Sequence, residues 1–388
     1  MRCAAPGSLR ALSGPRALMC AAHGPIAEVQ CTMSGMTRFA SIGVAVIAML
    51  GCAAACGGSQ ASAPGTTAAA AATKPAERPV PADPLALLVG NPSGVVDLRV
   101  DRLRGSQPFA RVRTYLERAG CISGSELDAA LATTQRALLA QRTSEQREQL
   151  FSVLSGRYTD QDAARLLEMA AQRDPEAAQA PAAPEMQGRF GYTRRGPLAV
   201  SLLEQRIILL GDAGWLRAAL ESIDKPGENF AMSKLWRELG PRAQCEARMI
   251  CAFGAAGSSA GERIEGLLAG AGSRALGRDL READSVLGIS APDDIEIELA
   301  AQMRSPEAAT ESAQRAKDLL WQAGLLTRLA GLPNVLGDAR IAANGALLSL
   351  DLRVSASDLA AYEARLAKLL EGSGSDCAAP AAPVVQTS

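Results

Sequence analysis

Residues 257–261 form the pattern G-x-S-x-G, in which Ser259 holds the central position. In a turn between a strand and a helix such a serine can act as a nucleophile, and the flanking residues predict a strand at 247–253 and a helix at 263–268. A nucleophilic serine needs a base, usually histidine, but the one histidine of the chain is His23, near its start. The lysines that could serve instead are Lys225, Lys234, Lys317 and Lys368.

A second serine and lysine, Ser222 and Lys225, have the S-x-x-K spacing of penicillin-recognising enzymes. In those enzymes the serine opens a helix, whereas Ser222 falls at the end of a predicted helix and no K-T-G follows. Small-residue turns often generate the G-x-S-x-G pattern. The chain has no Walker loop and no G-x-G-x-x-G loop. We therefore expect no catalytic residue and no cofactor.

Three carboxylates, Asp294, Glu296 and Glu298, alternate with Ile295 and Ile297 along a predicted strand. The alternation places the acids on one side of the strand and the apolar residues on the other. A metal site would need a further ligand from elsewhere, and histidine ligands are excluded from the mature chain. We interpret the acids as the solvated side of an antiparallel strand and predict no metal site.

An uncharged apolar run occupies residues 39–50, follows Arg38 and leads into Cys52 through the sequence MLGC. Twelve residues suit the core of a signal peptide and fall short of the roughly 20 needed for a transmembrane helix. The MLGC end resembles the bacterial lipobox, in which apolar and small residues precede a cysteine that is lipidated and becomes the new N-terminus. The resemblance implies lipidation of Cys52, with Cys56 as the alternative acceptor. An uncleaved membrane anchor is the other interpretation, because the uncharged stretch continues to Thr73.

The segments around the lipobox do not suggest a packed core. Residues 1–35 do not fit in front of a signal peptide, so we expect the start at Met33 or Met36. After Cys52, the stretch is rich in Pro, Ala, Thr and Gly and predicts a disordered linker. Ala53 stands where an aspartate would retain a lipoprotein in the inner membrane, which favours the outer membrane.

Five cysteines besides Cys52 follow the signal peptide, and an oxidising compartment permits disulfides between them. Cys245 and Cys251 stand six residues apart across a predicted strand. An extended strand at about 3.3 Å per residue would hold them too far apart to bond. Cys121 and Cys245 lie in predicted loops, so we predict the disulfide Cys121–Cys245, with separate free or buried thiols as the alternative. The chain has no C-x-x-C redox motif.

The body is predicted to be α+β, with antiparallel sheets covered by helices. A hairpin followed by a helix recurs three times, and the last hairpin turns at Asn344-Gly345. The recurrence allows two similar halves. Ahead of it we predict one or two strands within 85–100, a helix at 107–119, a helix at 127–140 that could hold a strand near its end, a strand at 149–154, a helix at 160–172 and a loop at 174–187. The three recurring units are 191–210 with a helix at 213–223, 285–303 with a helix at 306–329, and 338–354 with a helix at 357–370.

We expect the whole chain to divide into six segments. They are a mis-assigned start at 1–35, a signal peptide at 36–51, a lipid anchor and disordered linker at 52–84, an N-terminal half at 85–224, a C-terminal half at 225–371 and a disordered tail at 372–388.

Composition limits the partners of this body. The formal net charge is −1 over 388 residues, so no basic excess suggests nucleic acid. The layout of lipobox, low-complexity linker and large α+β body resembles uncharacterised envelope lipoproteins of high-GC proteobacteria. That resemblance implies a membrane-tethered protein whose body lies in the periplasm or at the cell surface. We expect a non-enzymatic binding or scaffolding module, with a protein and a lipid both open as ligand. The alternative is a serine hydrolase of envelope material that uses Ser259 with a lysine base.

Overall fold

The computed structural model describes residues 78–106, 132–144, 147–172, 174–258, 273–329 and 336–361, with the single residues 110, 265, 331, 333, 334 and 364. Twelve strands in these ranges form one sheet in the order β11-β12-β10-β9-β8-β1-β2-β3-β7-β6-β5-β4. The strands are β1 Gly94–Arg99, β2 Thr134–Ser144, β3 Arg147–Gly156, β4 Ala182–Gln187, β5 Phe190–Arg195, β6 Leu198–Leu203, β7 Ile207–Asp212, β8 Ile250–Gly254, β9 Asp284–Ser290, β10 Ile295–Gln302, β11 Arg340–Asn344 and β12 Leu347–Val354.

Helices and short turns connect the strands. The helices are α1 Val100–Leu103, α2 Asp160–Ala171, α3 Pro175–Gln179, α4 Ala213–Asp224, α5 Arg274–Arg281 and α6 Pro306–Leu329. Shorter turns lie at Pro84–Leu87, Phe230–Met232 and Leu235–Leu239, and residues 356–361 are also helical.

The predicted antiparallel sheet with helices is confirmed, but the strands form one sheet where we expected several. Strand β1 joins the two stretches, because it pairs with β2 on one side and with β8 on the other. Val95 lies opposite Ala140 of β2 and opposite Phe253 of β8. Strands β1–β7 therefore form one continuous part of the sheet and β8–β12 the other, with the β1–β8 ladder as the junction.

One row of side chains crosses most of the sheet on the face that carries Val95, which we call the Val95 face. Paired residues on neighbouring strands point to the same side, so the row forms a continuous surface. All of its members except Gly211 belong to one buried apolar cluster with α4. In sheet order the row is Ala300, Val286, Phe253, Val95, Ala140, Phe151, Gly211 and Ala199.

The opposite side of the sheet, the Leu98 face, is covered in part by α6. Ala301 and Leu348 point to this side because each neighbours a residue that faces the other way. Both belong to a second buried cluster with Ala309 and Ala313 of α6. Helices α4 and α6 therefore pack on opposite faces of the sheet.

Strand β7 is apolar on both sides, as expected of a strand in the interior of a sheet. Ile208 and Leu209 are fully buried and point in opposite directions. At its end, Gly211 has φ of 149° and approaches β3 so closely that a Cβ atom would lie 2.3 Å from the carbonyl oxygen of Leu150. Only glycine fits this contact, because any larger residue would push β7 away from β3.

Strong local signals correctly predicted several elements. The helices predicted at 160–172, 213–223 and 306–329 are confirmed as α2, α4 and α6. Asp212 caps α4 as predicted, with its Oδ1 accepting a hydrogen bond of 2.9 Å from the Trp215 amide. The hairpin predicted from Asn344-Gly345 joins β11 to β12, although Asn344 is the last paired residue of β11 and the turn residues are Gly345 and Ala346. Gly345 has a positive φ of 57°.

Two local predictions are wrong, and in a third segment the strand alternative holds. We predicted 127–140 as a helix that could hold a strand near its end, and β2 begins there at Thr134, because pairing with β1 and β3 overrides the helix propensity of Ala, Leu, Gln and Arg. The predicted loop at 174–187 contains α3 and the edge strand β4, where Pro184 is tolerated because an edge strand pairs on one side only. The predicted linker includes residues 78–84, yet Val80 is buried in the main apolar cluster.

Candidate functional site

The serine and lysine pairs predicted from sequence are either undescribed or separated in the structure. Ser259 and Lys368 lie outside the described residues, so the serine-hydrolase hypothesis stays a prediction. Ser222 donates its hydroxyl hydrogen to the carbonyl oxygen of Ala219 on the same helix, at 2.7 Å. Lys225 instead pairs with Glu221, with 3.0 Å between Nζ and Oε1. The S-x-x-K match is thus a pair of local helix-end contacts.

The predicted disulfide Cys121–Cys245 is wrong, because Cys245 bonds Cys251. Cys121 lies outside the described residues. Strand β8 begins only at Ile250, and the preceding residues turn back on themselves around Gln244, whose φ is +49°. This reversal brings the two Cα atoms to 5.6 Å. The prediction failed because it treated the whole interval from 245 to 251 as extended.

The segment closed by this disulfide lies on the Val95 face, at the ends of β9 and β10. Arg248 is buried there and forms ion pairs with Glu296, at 2.8 Å, and with Glu298. Burial raises the pKa of Glu298 even though the charge of Arg248 opposes that shift. Gly288 permits the approach, since a Cβ atom there would lie 2.6 Å from the Ala243 carbonyl oxygen. The acids of β10 therefore hold a covering segment in place.

A second charged cluster lies beneath the Pro84–Leu87 turn. Arg136 makes two parallel hydrogen bonds to Asp97, of 2.8 and 2.7 Å, and a third of 3.1 Å to Asp83. The Asp97 side chain is 1% exposed. Burial alone would lower the pKa of Arg136, but the hydrogen bonds and charges of Asp97 and Asp83 together outweigh it and raise the pKa. All three side chains are engaged with one another, so this cluster anchors the start of the body to β1 and β2.

Two hollows on the described surface are small and open to solvent. The larger, about 380 Å³, is lined mainly by polar side chains, among them Asp101, Arg104 and Arg157. The smaller, about 230 Å³, lies between Pro79 and the C-terminal end of α4. Neither is the deep apolar cavity that a lipid carrier requires. Among the described residues, no group of three or more His, Cys, Asp or Glu side chains is arranged to hold a metal ion.

The chain enters the body at a defined place. The carbonyl oxygen of Arg78 accepts a hydrogen bond from Arg189 in the β4–β5 turn. Arg189 also pairs with Asp224, at the end of α4, with 3.3 Å between Nε and Oδ1. Val80 is 6% exposed. The segment that leads in from the N-terminus is thus held beside α4 and the β4 edge of the sheet.

The C-terminal half of α6 exposes large apolar side chains on its outer surface. We call Trp321, Leu325, Leu326 and Leu329 the α6 stripe; they are 70%, 44%, 66% and 76% exposed. Trp321, Leu325 and Leu329 follow at four-residue spacing and form one ridge. Leu325 lies about 160° around the helix from the buried Ala309, so the ridge points away from the sheet. Sequence reasoning placed the helix and missed this surface.

The stripe stands apart from the other exposed apolar residues. Seven large hydrophobic side chains are exposed in the described part of the chain, and four of them fall within residues 321–329. The others, Leu150, Met186 and Met232, belong to three separate elements. Scattered apolar residues are ordinary on protein surfaces, whereas contiguous ones mark sites of association. The α6 stripe is therefore the candidate functional surface.

Within the described residues, no helix combines the length and the apolar character needed to cross a membrane.

Comparisons with known proteins found only distant structural similarity. No protein-family model matches the chain, and no curated protein matches it. Two crystal forms of TP0453, III and I, are each 14% identical to it, with TM-scores of 0.40 and 0.41. They cover 73% and 74% of this chain and 98% of their own. A likeness this distant carries no argument about function.

Proposed function

We propose that this chain is a lipid-anchored protein of the bacterial envelope whose body is a non-enzymatic module that binds another protein. The α6 stripe carries this proposal, because a row of solvent-facing tryptophan and leucine side chains is costly unless something covers it. Lipid attached to Cys52 would tether the body to a membrane, and Ala53 favours the outer one.

The disulfide and the entry point of the chain support an exported, tethered body. A disulfide between Cys245 and Cys251 is stable in an oxidising compartment, such as the bacterial periplasm. The 25 residues between Cys52 and Arg78 would span roughly 28 Å as a coil. The linker would join the body beside α4 and the β4 edge of the sheet. Helix α6 packs near the opposite edge, formed by β11.

A protein partner is favoured over a small ligand by the shape of the described surface. The larger hollow is a polar recess of about 380 Å³ that opens to solvent. Most small-molecule sites are concave and lined by apolar side chains. The ridge on α6 is convex, so it suits insertion between side chains of a partner helix or sheet.

A photo-crosslinker tests the proposed binding surface in intact cells. We expect p-benzoylphenylalanine at Trp321 to form a covalent adduct with a protein upon irradiation. The same label at Gln314, two turns earlier on the exposed side of α6, is the matched control and should give at least tenfold less adduct. Adducts with lipid alone, or equal yields at both sites, would contradict the proposed protein-binding role.

Metabolic labelling with an alkyne fatty acid tests the anchor separately. We expect the wild type and Cys56→Ala to incorporate the label, and Cys52→Ala to lose it. Retention of the label in Cys52→Ala together with its loss in Cys56→Ala would move the anchor to Cys56.

A fluorophosphonate probe tests the hydrolase alternative. Labelling of the wild type but not of Ser259→Ala would replace the binding role with a serine hydrolase.

A further inference from the structure

We propose that the partner of the α6 stripe is a second copy of this chain, whose α6 packs antiparallel to the first across a twofold axis that passes near Leu325. This inference rests on the proposed protein-binding function and names the partner. A twofold interface is formed by the same patch on both copies, so the patch has to be complementary to itself. Three properties of the stripe meet that condition: the spacing of its residues along the helix, the pairs they form across the axis, and their net charge.

The row has the spacing of a helix-packing ridge. Trp321, Leu325 and Leu329 occupy i, i+4 and i+8, and such ridges interdigitate in the most common class of helix packing. The three Cα atoms extend over about 12 Å, which matches the contact between two crossing helices. A single narrow row of this kind fits a facing helix better than a broad surface.

The register pairs unlike groups across the axis. With Leu325 opposite its own copy, Trp321 lies opposite Leu329 of the second copy, four residues away on either side. The large indole ring then packs on a leucine, and two tryptophans do not compete for one space.

The charge of the surface also fits a second copy. Between residues 318 and 329 the charged residues are Asp318 and Arg328, which cancel. Helices that lie on anionic membranes carry a polar face rich in Lys and Arg, which this segment lacks. A near-neutral surface meets an identical surface without like-charge repulsion.

The exposed area of the stripe supplies most of the minimum that such a dimer needs. At about 180–250 Å² for each full side chain, the stripe exposes roughly 400–500 Å² of apolar surface on each copy. Burial in both copies would remove roughly 800–1,000 Å², close to the lower limit of a specific interface before flanking residues are counted. Tethering in one membrane would raise the effective concentration of a contact of this size.

Substitutions that place opposite charges at residue 325 of the two copies test the proposed twofold axis directly. Two differently tagged full-length chains are co-expressed, crosslinked in intact cells with an amine-reactive reagent and purified through one tag. We expect wild-type chains to co-purify. When Leu325→Asp or Leu325→Lys is expressed with itself, we expect the yield of the co-purified second chain to fall at least tenfold. Leu325→Asp expressed with Leu325→Lys should recover most of the yield, because residue 325 of one copy faces residue 325 of the other. Gln314→Asp and Gln314→Lys are matched controls and should behave as wild type.

The outcomes separate this inference from the function on which it rests. Wild-type chains that fail to co-purify, or a mixed Asp and Lys pair that fails to recover, would overturn the dimer. In that case a protein adduct from the crosslinker at Trp321 would still support a binding module with a different partner. Thermal unfolding at a wild-type temperature shows that the variants at Leu325 are folded. A variant that does not fold is replaced by p-benzoylphenylalanine at the same position, for which an adduct of twice the chain mass is expected.

Discussion

Helices α4 and α6 use their faces in opposite ways. Helix α4 turns Trp215 and Leu216 toward the sheet, where both are fully buried, and exposes polar positions such as Glu221. Helix α6 turns small residues such as Ala309 and Ala313 toward the sheet and exposes Trp321 in its second half. Both helices are amphipathic, but α4 buries its tryptophan against the sheet, whereas α6 exposes its own.

The difference separates stability from association. A helix that buries large side chains contributes to the core of its own chain in proportion to the apolar area removed from water. A helix that exposes them gains little until a second surface arrives. The sheet accepts α6 through a close, small-residue contact, with Ala309 and Ala313 against Ala301 and Leu348. We therefore expect changes in α4 to affect folding and changes in the α6 stripe to affect binding.

Truncation of the two tryptophans should break this comparison most clearly. Trp215 stacks on Phe151 with 5.3 Å between ring centres, and its Nε1 donates to the Val89 carbonyl oxygen at 3.0 Å. Trp215→Ala should lower the free energy of unfolding by about 5 kcal/mol, through the cavity and the lost hydrogen bond. Trp321→Ala should change it by less than about 0.5 kcal/mol. Urea denaturation measures both, and equal losses would contradict the assignment of roles.

Ion pairs on the two sides of the sheet give the next largest contrast. Asp97, on the Val95 face with α4, is buried against Arg136, whereas Asp279 pairs with Arg315 of α6 where both side chains remain partly exposed. Asp97→Asn should cost about 3 kcal/mol, because it leaves the buried guanidinium with only the more exposed Asp83 as a countercharge. Asp279→Asn should cost about 1 kcal/mol or less, since water screens that pair. If Asp279→Asn lowered the free energy of unfolding as much as Asp97→Asn does, the expected difference between the two ion pairs would be contradicted.

The caps of the two helices supply the smallest expected effects. Asp212 Oδ1 accepts from the Trp215 amide at 2.9 Å, and Ser305 Oγ accepts from the Ala308 amide at 3.2 Å. Asp212→Ala should cost about 1 kcal/mol, because a charged cap also interacts with the helix dipole. Ser305→Ala should cost about 0.5 kcal/mol. Thermal unfolding of the two variants checks the order, which would be wrong if Ser305→Ala were the more damaging.

Local signals in the sequence determined a large share of this architecture. The turn between β11 and β12 has positive φ at Gly345, and Asp212 precedes an apolar helical repeat, so each specifies its element without reference to distant residues. Helix α6 was equally visible from its spacing. What its spacing could not decide was which of two apolar faces meets the sheet, because the choice depends on the side chains that the sheet presents.

Tertiary structure alone decided the features that depend on residues far apart in sequence. Strand β2 exists because β1 and β3 offer hydrogen-bond partners on both sides of a segment with high helix propensity. Cys245 meets Cys251 because the chain reverses around Gln244 and packs against Gly288. Trp321 points to solvent because Ala309 and Ala313, on another face of α6, pack against Ala301 and Leu348 of the sheet. In each case a non-local contact outweighed the local preference, which is why the sequence specified the elements and the sheet specified their faces.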